Sequence, residues 1–176
     1  MIPILLALVI IAILFFVILV GRPDEFTVCR TAKITAPPEK IFPYVNELKR
    51  WDDWSPWAKL DPNCKITYVG PPAGVDASYS WAGNKKVGEG RLTIIESTPG
   101  SLVRFRLEFL KPFQVTNVAE LRFASEGGQT LVTWSMTGKN NFFFKVFGLF
   151  MDCDQMIGKD FEKGLASLKT LAEAVK

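Results

Sequence analysis

The sequence has no histidine, only three cysteines, and no run of lysine or arginine. Without histidine there is no Ser-His-Asp or Cys-His nucleophile system, and no histidine-held zinc. Cys29, Cys64 and Cys153 are odd in number and widely spaced, and none forms a Cys-x-x-Cys pair. They read as buried small hydrophobes rather than as a disulfide framework or a metal motif. A formal net charge of +3 is mild, and no basic stripe marks a nucleic-acid binder. The glycines of "GNKKVGEG" lack the phosphate-loop lysine pattern and read as turn and strand. Neither metal nor cofactor is expected from these residues, and no nucleic-acid partner.

Charge is also missing from one particular place. "MIPILLALVIIAILFFVILV", Met1 to Val20, carries no charged side chain. Helical from Ile2 to Val20, at ~1.5 Å per residue, it spans ~28 Å, close to the hydrocarbon thickness of a bilayer. A cleaved signal peptide wants a basic region before the run and a small-x-small site after it. Nothing basic precedes this run, and "ILVGRPDEF" follows it. A buried core helix is a poor alternative, since the run has no polar face. Residues 1–21 are therefore expected to form a single-pass membrane anchor, 22–26 a short linker, and 27–176 one ligand-binding domain. Arg22, Arg30 and Lys33 follow the run and no basic residue precedes it, which places the domain on the cytoplasmic side by the positive-inside tendency.

Beyond the linker the pattern is mixed. "TVCRTAKIT" (27–35) reads as a strand, and "APPEKIFPYVNEL" as a short helix opening at Pro37, Pro38 and Glu39. Its apolar stripe is Ile41, Val45 and Leu48, and Pro43 keeps it short or kinked. Six further strands are predicted at 65–70, 77–82, 87–97, 102–110, 115–125 and 130–137, separated by Gly- and Pro-bearing turns. In the fourth of these, Val103, Phe105, Leu107 and Phe109 share one face and Arg104, Arg106 and Glu108 the other. Such a sheet is antiparallel and wetted on one side. The last segment spaces Phe147, Phe150, Asp154, Ile157, Phe161, Leu165, Leu168, Leu171 and Val175 by three or four residues, predicting one long amphipathic helix capped at Asn140 or Asn141. The fold class expected is α+β, a curved antiparallel sheet gripping a long C-terminal helix.

The stretches "TAKITAPPEKIFPYVNELKRWDDWSPW", "YSWAGNKKVGEGRLTI" and "MIGKDFEKGLASLKTLAE" resemble the polyketide cyclase/dehydrase-like branch of the START/Bet v 1-type superfamily. The resemblance covers nearly all of residues 26–173 and implies a helix-grip domain with a mostly apolar cavity between sheet and helix. Its members include lipid-transfer proteins, hydrophobic-ligand carriers, cyclases and co-chaperone domains, so the fold alone does not choose a function. Iron ligands of the Rieske-oxygenase relatives have no counterpart here.

Three of the five tryptophans lie in "RWDDWSPW", residues 50–57. Trp51, Trp54 and Trp57 are expected to form an aromatic rim or lid, with Asp52 and Asp53 facing water; the alternative is a plug at one end of the sheet. The ligand-binding candidates are Trp54, Trp57, Tyr79, Trp81, Phe105, Trp134, Phe150 and Asp154, because large apolar rings with a few polar atoms suit a cavity wall. For an acid–base enzyme the candidates are Asp154, Glu89 and Tyr79, whose pKa an apolar cavity would shift. Against this, Asp154 is expected at a rim, Glu89 and Arg91 on a wetted strand face, and Arg106 with Glu108 as a solvated pair. "NNFFFKVFGLFM" (140–151) holds more phenylalanine than one helix face buries; it is expected to extend the cavity wall, to touch the bilayer, or to be covered by a loop folded over it. The leading expectation is a membrane-anchored domain that binds a hydrophobic small molecule or lipid. The alternatives are a cofactor-free cyclase- or dehydratase-like enzyme and a protein-interaction module.

Overall fold

A computed structural model describes residues 2–140, 142–149 and 152–174. Helix α1 (Ile2–Val20) is a uniformly apolar rod, and its segment Pro3–Val20 is long and apolar enough to cross a membrane. After four residues the chain enters strand β1 (Glu25–Ile34), followed by α2 (Pro38–Asn46), a 3₁₀ turn (Leu48–Arg50) and the single-turn α3 (Trp51–Trp54). Then come β2 (Lys65–Val69), β3 (Ser78–Ala82), β4 (Glu89–Thr98), β5 (Leu102–Lys111), β6 (Val115–Glu126) and β7 (Gln129–Lys139). Helices α4 (Phe142–Phe147) and α5 (Cys153–Ala174) close the chain.

The strands form one sheet in the order β1-β7-β6-β5-β4-β3-β2, every pair antiparallel. Irregular register at Glu89/Gly90 and at Ile94/Glu96 bends β4 against β5, as bulges do. All seven strands fall where alternation and turn residues place them, within a few residues at each end.

Helix α2 begins as expected, with proline in its first turn and Glu39 at its positive end. Ile41, Val45 and Leu48 are buried, and Phe42 and Tyr44 join them. The long C-terminal helix differs from expectation. It is two helices, with α5 starting only at Cys153. Asp152 takes the cap position, its carboxylate accepting the amide N–H of Gln155 at 3.0 Å while its carbonyl accepts that of Met156. The run of apolar residues continues the helical period across the break, but Asp152 offers the backbone a local partner that ends one helix and starts another. Phe161, Leu165, Leu168 and Ala172 are the buried stripe of α5, which packs mainly on β1 and against α2 and α3.

Cys29 and Cys64 are not the buried hydrophobes expected. Cys29 is exposed and Cys64 half-buried, because β1 alternation sends Cys29 to the outward face with Thr27 and Thr31. The side chain of Cys153 is outside the described residues.

Candidate functional site

The concave face of the sheet is defined by register. Pairings Phe26↔Gly138, Val28↔Met136, Arg30↔Trp134, Ala32↔Val132 and Ile34↔Thr130 put those residues of β1 and β7 on one side, beneath α5. On β6 the row continues as Asn117, Ala119, Leu121 and Phe123, and on β5 as Val103, Phe105, Leu107 and Phe109. The near end of this face lies where the chain arrives from α1, and the far end lies beyond Ile34.

The far and central parts are mostly packed, with Ala32, Tyr79 and Leu171 partly exposed. Trp51 and Trp54 are buried, and their indole N–H groups donate to the carbonyls of Val45 and Tyr44, both at 2.9 Å. Trp51 meets Phe105 edge-on at 5.1 Å and Trp54 meets Trp134 at 5.3 Å. Trp134 stacks flat on Phe161 of α5, 4.1 Å between centroids. Trp57, partly exposed, covers Trp134 and Phe161 from outside at 5.8 and 6.3 Å. The expected rim is therefore mostly a plug. A four-residue helix turns Trp51 and Trp54 inward together, each buried aromatic contributing about 1.5–3 kcal/mol, and only Trp57 remains at an edge.

The near end is different. Phe26, Trp81, Leu107, Phe109 and Ile157 face inward yet stay partly exposed. Among them sits Asn117, buried to 5 % exposure. Its amide nitrogen approaches the Met136 sulfur at 3.8 Å, a weak acceptor, and its carbonyl oxygen Oδ1 has no hydrogen-bond partner among the described residues. Gly138 makes room for it, since a Cβ there would lie 2.1 Å from that oxygen and 2.6 Å from the Phe26 ring. A buried acceptor left unmade costs about 1–3 kcal/mol.

Arg30 is another polar residue on the inward face. Its guanidinium donates to Asp154 at 2.9 Å, to Glu162 at 2.9 Å and to the Cys29 carbonyl at 2.7 Å, fastening α5 to β1. Gly158 lets the helix come this close: a Cβ there would fall 2.0 Å from the guanidinium. The hydrogen bond from Arg30 holds the Asp154 carboxyl below its ordinary range. Asp154 is thus on the outer rim, more than half exposed and committed to an ion pair.

The other expected positions divide in the same way. Glu89 pairs with Lys111 at 2.8 Å on the wetted edge. Arg91 faces Glu108 across β4 and β5, and Arg106 faces Thr93, so Arg106 and Glu108 do not stand opposite each other. Tyr79 points inward between Trp51, Tyr68 and Trp81, and burial pushes its phenol well above the usual range, so it stays protonated. Trp81 reaches the near end and donates to the Val87 carbonyl at 3.3 Å. Phe105 and Trp134 are core. Phe150 lies outside the described residues.

Asn117 and Arg30 went unmarked in the sequence, although each carries a signal. Both interrupt an otherwise apolar alternating row, Val115-Asn117-Ala119-Leu121-Phe123 and Phe26-Val28-Arg30-Ala32-Ile34.

This architecture, a seven-stranded antiparallel sheet closed by a long C-terminal helix, defines a helix-grip α+β domain of the START/Bet v 1 type. Residues 25–173 match the family described as polyketide cyclase / dehydrase and lipid transport, and the chain belongs to that family. Among solved structures it is similar to the Aha1 dimer protein of Colwellia psychrerythraea, at 16% identity and TM-score 0.61, over 84% of this chain and 96% of that one. Protein Mll3558 of Rhizobium loti gives 13% identity and TM-score 0.62, over 83% and 96% of the two chains. Ara h 8.0201 gives 12% identity and TM-score 0.60, over 85% and 99%. At these identities the likeness is one of fold. No curated protein matches the chain.

Proposed function

We propose that this protein is a membrane-anchored binding domain for a hydrophobic molecule carrying a hydrogen-bond donor, admitted at the near end of the grip. The observation that carries the reading is the buried, unpartnered Asn117 Oδ1 among inward apolar side chains that remain partly exposed. The family, whose description includes lipid transport, supports a hydrophobic ligand. The apolar rod of α1, joined to β1 by four residues, supports anchoring. A hydroxyl or N–H of an otherwise apolar guest would satisfy Asn117, while Phe26, Leu107 and Met136 would take its hydrocarbon part. Of the residues expected at the site, Trp81 would meet such a guest, whereas Trp54, Phe105 and Trp134 are packed core.

A cyclase-like activity has less support. Asp154 and Glu89 are tied in ion pairs on the rim, and Tyr79 is enclosed by three rings.

Native mass spectrometry of the full chain, released from membranes into detergent, tests the reading. A stoichiometric hydrophobic ligand on the wild type, lost in Asn117→Leu without loss of thermal stability, is the expected result. A wild-type chain that carries nothing and leaves a hydrophobic fluorescent probe unshifted would sink it.

A further inference from the structure

The near end of the sheet is also where the domain meets the anchor. Residues 21–24 reach at most ~14 Å when extended, and they are fastened down. Arg22 donates to the Gly148 carbonyl at 2.7 Å, and the Asn140 side chain to the Pro23 carbonyl at 3.2 Å. Lys145 of α4 pairs with Asp24 at 2.6 Å. Leu19, at the end of α1, is buried beside this junction, and a cleft of about 170 Å³ runs between Phe16, Leu19, Phe142 and Lys145. Register then brings two hairpin tips to the same end: residues 83–88, between β3 and β4, and residues 112–114, between β5 and β6. An outward groove of about 440 Å³, lined by Glu25, Gln114 and Lys139, shows that the second tip adjoins the first residue of β1.

The chemistry of these tips is unlike that of the opposite end. Leu110, Phe113 and Phe142 are 46–64% exposed. Around them stand the exposed lysines Lys85, Lys86, Lys111 and Lys139; the acidic residues nearby are Glu25, Asp24 in its pair with Lys145, Glu89 in its pair with Lys111, and the buried Asp61, which accepts the Asn84 amide at the first tip. The far-end turns 70–76, 99–101 and 127–128 contain no lysine or arginine. Apolar side chains ringed by lysines, on the side of a domain held next to a membrane span, have the composition of an interfacial surface for an anionic bilayer.

We infer that the tips at 83–88 and 112–114, together with Leu110 and Phe142, form a second membrane contact that seats the mouth of the grip on anionic lipid headgroups. This rests on the anchored-binding-domain reading above, and it adds an orientation. Phe113 and Leu110 dip to the headgroup–acyl boundary, the lysines pair with lipid phosphate, and the half-open interior faces the bilayer instead of the aqueous phase. A hydrophobic guest would then pass between membrane and Asn117 without crossing water.

Photo-crosslinking in the full chain separates the possibilities. p-Benzoylphenylalanine replaces Ile10, Phe113 or Val75 in turn, and the protein is reconstituted in vesicles of phosphatidylcholine alone or mixed with phosphatidylglycerol. Ile10 lies mid-anchor, and Val75 is an exposed residue of the far end. The expected result is lipid adducts at positions 10 and 113 but not at 75. Adducts at 113 should increase several-fold with phosphatidylglycerol, and lose that increase in the Lys85→Gln/Lys86→Gln variant. Adducts at 10 with none at 113, or equal yields at 113 and 75, would overturn the second contact while leaving the anchor standing. Absence of adducts at 10 would overturn anchor and contact together.

Discussion

The two ends of the concave face are built from the same strands and differ in what lies over them. Over the far and central part, α2 and α3 deliver Phe42, Tyr44, Trp51 and Trp54, and α5 delivers Phe161, Leu165 and Leu168. The indoles there satisfy their N–H groups on main-chain carbonyls, and Thr130 donates to the Ala36 carbonyl at 2.6 Å. At the near end, inward rings stay partly open and the Asn117 carbonyl oxygen has no partner among the described residues. The comparison teaches that the grip fold does not by itself make a cavity. Tryptophans on one short helical turn close half of it, and the half that they leave uncovered is the half beside the apolar helix α1.

The largest effect expected from breaking this contrast is at the closed end. Trp134→Ala removes the ring that meets Trp51, Trp54, Trp57 and Phe161, and should cost about 3–5 kcal/mol in thermal or chemical unfolding. Thr130→Val leaves the Ala36 carbonyl without its donor in a buried place, and should cost about 1–2 kcal/mol by the same measurement. At the open end the sign changes. Asn117→Leu removes an unsatisfied acceptor, so stability should stay level or rise by up to about 1 kcal/mol while ligand retention falls. A marked loss of stability in this variant would mean that Asn117 is a structural residue and that the two ends are alike.

The smallest effect concerns the strap between the ends. Because the Asp154 carboxyl is depressed in the folded state by the hydrogen bond from Arg30, its contribution is complete above the ordinary carboxylate range near about 4 and fades as pH falls through the lowered value. Wild type should therefore lose more stability than Arg30→Met between neutral and strongly acidic pH. Parallel pH–stability curves for the two proteins would remove the strap from the account.

Much of the architecture was legible beforehand because it rests on local periodicity. Alternation in Leu102–Leu110 and Gly- or Pro-bearing turns gave the strands, and three- and four-residue spacing gave the face of α5 that is buried. The break before Cys153 escaped because the apolar period runs through it, and a single aspartate cap decided otherwise. Trp51 and Trp54 were expected at a rim, since nothing in "RWDDWSPW" says which way a four-residue helix will turn its indoles. Asp154 has the spacing of a buried residue and the position of a rim residue, because it lies in the first turn of α5, where Arg30 holds its carboxylate in an ion pair.

What the sequence determined by itself is the apolar rod, the order of strands and helices, and the absence of histidine chemistry, all of which follow from residue type and near-neighbour pattern. Only the tertiary structure decided which aromatics are spent on packing, that Arg30 straps the helix, and that Asn117 is buried without a donor among the described residues. Those outcomes depend on register between strands distant in the chain, where a one-residue change would send each side chain to the opposite face.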